Sequence, residues 1–342
     1  MGNHFHNVSC LSEAKGMDIN MKLGVISDIH SNVIAFRAAV AALEAKGCEE
    51  YLFLGDYVSD TPYTRETLDD LYDFMKTHHC SLLRGNREDY MLTQHEVRKN
   101  GIQEQFWINN SASGNLLYTY EQLTEEDFAF FESLPISFRY EREGCPAITC
   151  CHGSPDNNRE LLQLGGDNTK RWLGKVDTDY LLCAHTHFPG EFPYMGKHYF
   201  NSGCVGISIN DAGYAQCMTL ELTETDGGAA WKPEFMKVPY DNGRVVEHMV
   251  SCGLLDRAPW FINGNIQTLL TGVDHAAELC ALAAKLSEKA EEKNVWPLIG
   301  ENYFAQAAEA LGIPDYRRRQ GAGRSGNWMR EIEGKTSFEK II

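Results

Sequence analysis

From Lys22 onward the chain alternates short β-rich runs with longer amphipathic ones, and this alternation restricts the fold more than any other feature. "KLGVIS" reads as a buried strand. Residues 33–46 place Val33, Phe36, Val40 and Leu43 on one helical stripe that stops at Gly47. "EYLFLG" is the next predicted strand, residues 64–78 the next helix and "CSLL" the third strand. Strands alternating with helices predict a βαβαβ unit with right-handed crossovers, and so an α/β fold.

Helical segments follow around 88–132. "AITCC", "YLLCA", "KHYF", "AQCMTLEL" and "KPEFMKVP" then read as closely spaced strands, which predicts a second sheet, mixed or antiparallel. From Asp241 the composition shifts to helices over 242–252, 266–293 and 298–311, separated by "APWFING" and "NVWPLIG". The expected organisation is a loosely ordered leader at 1–20, a main domain at 21–240, and a helical appendage and tail at 241–342. The tail carries "RRRQGAGRSG" and is expected to be only partly ordered.

With 342 residues, 43% of them hydrophobic, the chain can bury a sizeable core. Its formal net charge of -17 opposes non-specific binding to nucleic acid. The 11 cysteines are odd in number and form no C-x-x-C pair, so neither a disulfide framework nor a thiolate zinc site is suggested, and a reducing cytoplasm fits. Residues 1–20 lack the basic and apolar regions of a signal peptide, Met21 is an alternative start, and no stretch approaches the length of a membrane span.

Metal-type ligands fall at the ends of the predicted strands: Asp28 and His30 after "KLGVIS", Asp56 after "EYLFLG", Asn86 after "CSLL", His152 after "AITCC", and His185 and His187 after "YLLCA". The carboxyl ends of strands in an α/β sheet share one rim, where such sheets build sites. Any one of these residues alone is more simply a polar group at a strand end. Together they supply carboxylate, imidazole and one amide oxygen, a set suited to Mn, Fe, Co, Ni or Zn. They are too many for one ion, and sufficient for two with a single carboxylate between them.

The blocks "SDIHSN", "LGDYV", "RGNRE", "CHGSP" and "AHTH" resemble, in order, the signature blocks of the calcineurin-like metallophosphoesterase superfamily. "NSGCVG" resembles a strand-turn of its small bacterial phosphodiesterase branch, where Pro and Ser more often stand at the places of Ser202 and Cys204. The resemblance implies a four-layer α/β/β/α sandwich with a two-metal site. In it Asp28, His30 and His187 would bind one ion, Asn86, His152 and His185 the other, and Asp56 would bridge. It implies hydrolysis of a small phosphodiester or phosphomonoester, nucleotides included, by in-line attack of a metal-bridging hydroxide, the ions sitting roughly 3.5–4 Å apart. Asp56, Asn86, Arg87 and His152 would be the catalytic positions. The competing reading is a non-catalytic scaffold of the same fold, a type that tends to lose the ligand set.

Arg87 stands where many family members carry a His thought to protonate the leaving group. Arginine stays charged and cannot donate that proton, although it can hold a phosphate oxygen bidentately. Pairing with Glu88 or Asp89, or exposure to solvent, is the equal alternative. Tyr57, Tyr63, Phe106 and Trp107 serve either a core or an aromatic wall, with core the commoner use. Cys150 and Cys151 are expected as buried strand residues, His248 and His275 as surface residues, and Arg317–Arg319 as a solvated face that can also reach an anionic substrate or another subunit of a homo-oligomer.

Overall fold

The computed structural model describes residues 21–225, 228–290 and 296–319. Along the chain run β1 (Lys22–Ile26), α1 (Val33–Ala45), β2 (Glu50–Phe53), α2 (Thr64–Thr77), β3 (His79–Leu82), α3 (Asn86–Lys99), α4 (Gly114–Tyr120) and α5 (Glu125–Ser133). Next come β4 (Ser137–Tyr140), β5 (Ile148–Cys151), α6 (Asp167–Leu173), β6 (Tyr180–Cys183), β7 (Gly190–Tyr194), β8 (Lys197–Asn201), β9 (Tyr214–Thr225) and β10 (Gly228–Pro239). The described part closes with α7 (Asn242–Ser251), α8 (Leu254–Arg257), α9 (Pro259–Thr271), α10 (His275–Lys289) and α11 (Glu301–Leu311).

The strands form two five-stranded sheets, ordered β10-β9-β1-β2-β3 and β4-β5-β6-β8-β7. β1, β2 and β3 are parallel, as are β5, β6 and β8. Residues two apart on a strand share a face, and this alternation builds the layers. Leu23, Val25, Leu52 and Leu54 turn one way to meet Ile148, Cys150, Leu182 and Phe200 of the other sheet in a buried middle layer. Ile26, Tyr51 and Phe53 turn the other way, under Phe36, Leu68, Leu71 and Phe131 of the helices. On the far side, Cys151, Leu181, Cys183 and Tyr199 pack against Trp172 and Leu173 of α6. The result is the expected helix–sheet–sheet–helix sandwich, with Cys150 and Cys151 fully buried.

The helices after Asp241 continue this packing. Val245, Met249, Leu255, Ile262 and Ile266 form one cluster with Val33, Tyr63, Cys204 and Ile207 of the sandwich. A second cluster joins Leu279, Ala283, Phe304 and Ala307 to Ala112.

Some predicted elements differ from those observed. "APWFING" does not separate helices but opens α9, whose first turn accommodates Pro259 because no backbone donor is needed there. The single helix expected over 266–293 is broken at Gly272 (φ 72°), where a side chain would meet the amide nitrogen of Asp211 at 3.1 Å. Strands β4 and β7 and helix α6 were not predicted. The leader at 1–20 and the tail beyond Arg319 lie outside the described residues. Among the described residues no helix is long and apolar enough to cross a membrane.

One buried charge fastens the outer helical layer. Asp127 accepts from the Thr124 backbone N–H (2.8 Å), closing a capping box at the start of α5. It also accepts from Arg65 Nη1 (2.6 Å) and the Tyr72 hydroxyl (2.7 Å). Burial works to raise its pKa, but these donors, Arg65 first, hold it below the ordinary carboxyl value. A depressed carboxyl stabilises the fold above its unfolded pKa, and that contribution is lost as pH falls through the folded value. Asp127→Asn is therefore expected to cost about 1–3 kcal/mol at pH 7, a difference that narrows below about pH 3.9. Urea unfolding across that range checks it, and a pH-independent difference would contradict the assignment.

Candidate metal centre

The sharp turns leaving β1, β2 and β6 are left-handed at residues with full side chains. Asp28 (φ 53°), His30 (φ 49°), Asp56 (φ 54°), His185 (φ 66°) and His187 (φ 59°) all sit there. Such positions cost about 1–3 kcal/mol each and persist where the surroundings over-determine them. The turns re-aim these side chains into the space between the sheet ends, joined by Asn86 at the first residue of α3 and His152 just after β5.

The Asp56 turn is anchored from below. Glu88, fully buried, accepts from the backbone N–H groups of Asp56 (2.9 Å), Tyr57 (2.8 Å) and Gly85 (2.8 Å). Burial, then the Asp56 charge, pushes its pKa up to about 7. Arg87 N donates to Asp56 Oδ1 at 2.8 Å. Gly85 has no alternative, because a Cβ there would lie 2.1 Å from Asp56 Oδ1.

The seven sequence-predicted ligands converge. His187 Nε2 lies 3.3 Å from Asp28 Oδ1, and His152 Nε2 lies 3.5 Å from Asp56 Oδ2. His30 Nε2 faces His187 Nε2 at 3.2 Å, and His152 Nε2 is 3.1 Å from Asn86 Oδ1. His185 N donates to Asp28 Oδ2 at 3.3 Å, and its ring lies 4.9 Å from that of His152. Ligand atoms of Asp28, His30 and Asp56, and separately of Asp56, His152 and His185, fall within 4.8 Å of one another, so Asp56 is common to both groups.

The donor chemistry fits divalent cations. His152 Nδ1 donates to Leu54 O (2.7 Å), so once the ring is neutral its lone pair is on Nε2, directed at the cluster. Asp28 Oδ1 is buried without an aligned hydrogen-bond donor. The bare cluster must compensate two buried carboxylates with imidazolium. Burial opposes that charge, yet Asp56 and Asp28 raise His152 to about 9. Burial and the neighbouring His152 lower His185 to about 4. Against the effect of burial, His187 and His152 hold Asp28 below its ordinary value, and His152 and His30 do the same for Asp56.

Arg87 pairs with neither of the expected neighbours. Its Nη2 contacts Asp60 Oδ2 at 2.8 Å, while Asp89 engages Arg84 (2.7 Å) and Glu88 lies beneath Asp56. Asp60 escaped the sequence reading, although it follows Asp56 closely in "GDYVSD". It is buried, and its carboxylate also approaches His30 Nδ1 (3.2 Å) and accepts from Asn115 Nδ2 (2.8 Å). Its backbone carbonyl accepts from Asn265 Nδ2 of α9 at 3.3 Å. Cys204 was missed too, and its Sγ groups with the ring nitrogens of His30 and His187.

The cluster opens into a cavity of about 1030 Å³ whose opposite wall comes from α9, α10, α11 and Trp296–Ile299. Of the four aromatics considered for a wall, Trp107 lines it, whereas Tyr57 is buried with its hydroxyl donating to Leu83 O (2.6 Å) and Tyr63 belongs to the core. Phe106 packs under the Arg98 guanidinium at 4.8 Å. His248 is half-buried and stacked on Tyr63 (4.7 Å) rather than on the surface, and His275 is half-buried as well.

With this geometry in place, the comparison with known proteins is decisive: the sequence matches the calcineurin-like phosphoesterase family over residues 21–189. That segment of the chain is similar to the family. Every one of the seven converging residues lies inside this segment. The chain is also 24% identical over 250 residues to the uncharacterized protein MJ0912 of Methanocaldococcus jannaschii, covering 68% of this chain and 93% of that protein. Two solved structures share the fold. The hypothetical protein PH1004 from Pyrococcus horikoshii OT3 has a TM-score of 0.61 at 21% identity, covering 74% of this chain and 98% of that one. A metallophosphoesterase from Sphaerobacter thermophilus has a TM-score of 0.56 at 21% identity, covering 74% and 99%. Calcineurin-like phosphoesterases use divalent metals, in keeping with the candidate clusters here.

In this calcineurin-like centre Asp60 is placed to orient His30 from behind. Asp60→Asn is expected to weaken divalent-ion binding by about 10- to 100-fold, read by calorimetric titration with Mn²⁺. Unchanged affinity would show that Asp60 does not support the site.

Proposed function

We propose that the chain is a dinuclear metal-dependent phosphoesterase that hydrolyses an organic phosphodiester or phosphomonoester. Asp28, His30 and His187 hold one divalent ion, Asn86, His152 and His185 hold the second, and Asp56 is shared. The observation that carries this reading is the pair of carboxylate–imidazole groups with Asp56 in common, beside an Asp28 oxygen without an aligned donor. When bound, the two ions supply concentrated positive charge that polarises a phosphate and activates water.

The chain's own groups do the rest. Asn86 offers a neutral oxygen and so adds no negative charge where the phosphate arrives. Asp60 fixes the Arg87 guanidinium in the wall of the cavity, with Nη2 at 2.8 Å. A guanidinium held this way binds a phosphate oxygen and stabilises charge as the bond to the leaving group breaks. It cannot protonate that group. Esters of acidic alcohols are therefore the better substrates.

The test is the chain loaded with Mn, Fe, Co, Ni or Zn, with metal content and turnover of bis(4-nitrophenyl) phosphate measured together. Asp56→Ala is expected to abolish turnover and paired ion binding. Two ions retained in that variant, or an inert metal-loaded wild type, would contradict the proposal. Arg87→Ala is expected to keep its metals and lose about 100- to 1,000-fold in kcat, and equal rates would exclude Arg87 from the reaction.

A further inference from the structure

The cavity is far larger than a phosphate group requires. At about 1030 Å³ it stands at the upper end of sites that enclose drug-sized ligands, roughly 300–1,000 Å³. His30, Asp56, Asn86, Arg87, His185 and His187 line one part of it. Phe261, Cys280, Trp296, Leu298 and Phe304 line the other, and all of these lie outside the family-matched segment 21–189. The C-terminal helices thus turn an open metal centre into a chamber.

The chamber's lining has a definite character. Trp296 lies 6.0 Å from Tyr90 at 32° and 6.1 Å from Trp107 at 65°, so three aromatic rings meet beside Arg87. Leu161 (51% exposed), Phe188 (44%), Trp296 (43%) and Leu298 (52%) leave apolar surface uncovered at the same cavity. Gln94, 2% exposed, also lines it. Its Oε1 accepts from Trp107 N at 3.3 Å, but its Nε2 is a buried donor with no partner. Glu104 and Asp274 set against Arg159 give the outer lining no net positive charge, so it does not call for a second phosphate.

On the basis of the phosphoesterase reading, we propose that the C-terminal helices select a phosphoester carrying a flat aromatic group of nucleobase size. The ring system lies against Trp296, the most exposed of the three rings. A purely aliphatic alcohol would fill the apolar space but forgo stacking on Trp296.

Two measurements test this. The first compares kcat/KM of the Mn²⁺-loaded chain for thymidine 5′-(4-nitrophenyl phosphate) and methyl 4-nitrophenyl phosphate, which share a leaving group. A preference of about 10-fold or more for the nucleoside ester is expected from base–aromatic stacking. That ratio should fall in Trp296→Ala and be largely kept in Trp296→Phe. The second is calorimetric binding of thymidine 5′-monophosphate against ribose 5-phosphate, which needs no turnover; the base-bearing ligand is expected to bind about 10-fold tighter. If both esters react equally in the wild type, or the ratio ignores Trp296→Ala, the inference is overturned while the phosphoesterase reading stands. If neither ester reacts, the phosphoesterase reading fails. If the two ligands bind equally, the aromatic pocket is wrong whatever the turnover.

Discussion

Two carboxylates buried within one small cluster are the constraint on which the rest of this structure turns. Asp28 is fully buried and Asp56 is 2% exposed, and both face the same imidazoles. Like charges held this way in a poorly solvated interior are strongly unfavourable unless cations compensate them. Among the described residues the cluster offers only Arg87 and protonated histidines, and Arg87 is shared with Asp60. Divalent ions would resolve the imbalance more completely, because each brings a double charge.

The scaffold meets the cost of assembling that cluster through its packing. Five of the converging side chains sit on left-handed backbone, a conformation that an isolated loop would abandon. They are held by strands whose two faces are both buried, by Glu88 gathering three backbone N–H groups under the Asp56 turn, and by a glycine at 85 that alone permits the close approach. Rigidity of the sandwich is thereby converted into precision at its rim.

Much of this was legible in the sequence, for identifiable reasons. β1, β2, β5 and β6 are short, mostly apolar and almost wholly buried, so they stand out from the helices between them, and the ligands follow at their ends. β7 did not stand out because it is an edge strand, where alternation is weak and Pro193 is tolerated. The division between α9 and α10 depends on a single glycine inside an otherwise continuous helical pattern. Asp60 and the chamber wall were beyond reach for a different reason: they arise from pairings such as Asn265 with Asp60, separated by 205 positions, and no local pattern encodes such a pair. The metal centre is written in motifs, whereas the enclosure around it is written only in tertiary packing.

The central claim is that two ions share Asp56, and anomalous diffraction from crystals grown with Mn²⁺ addresses it without relying on turnover. The account predicts two anomalous peaks, one bounded by Asp28, His30 and His187 and the other by Asn86, His152 and His185, with the Asp56 carboxylate touching both. A single peak, or two peaks of which Asp56 touches only one, would contradict it.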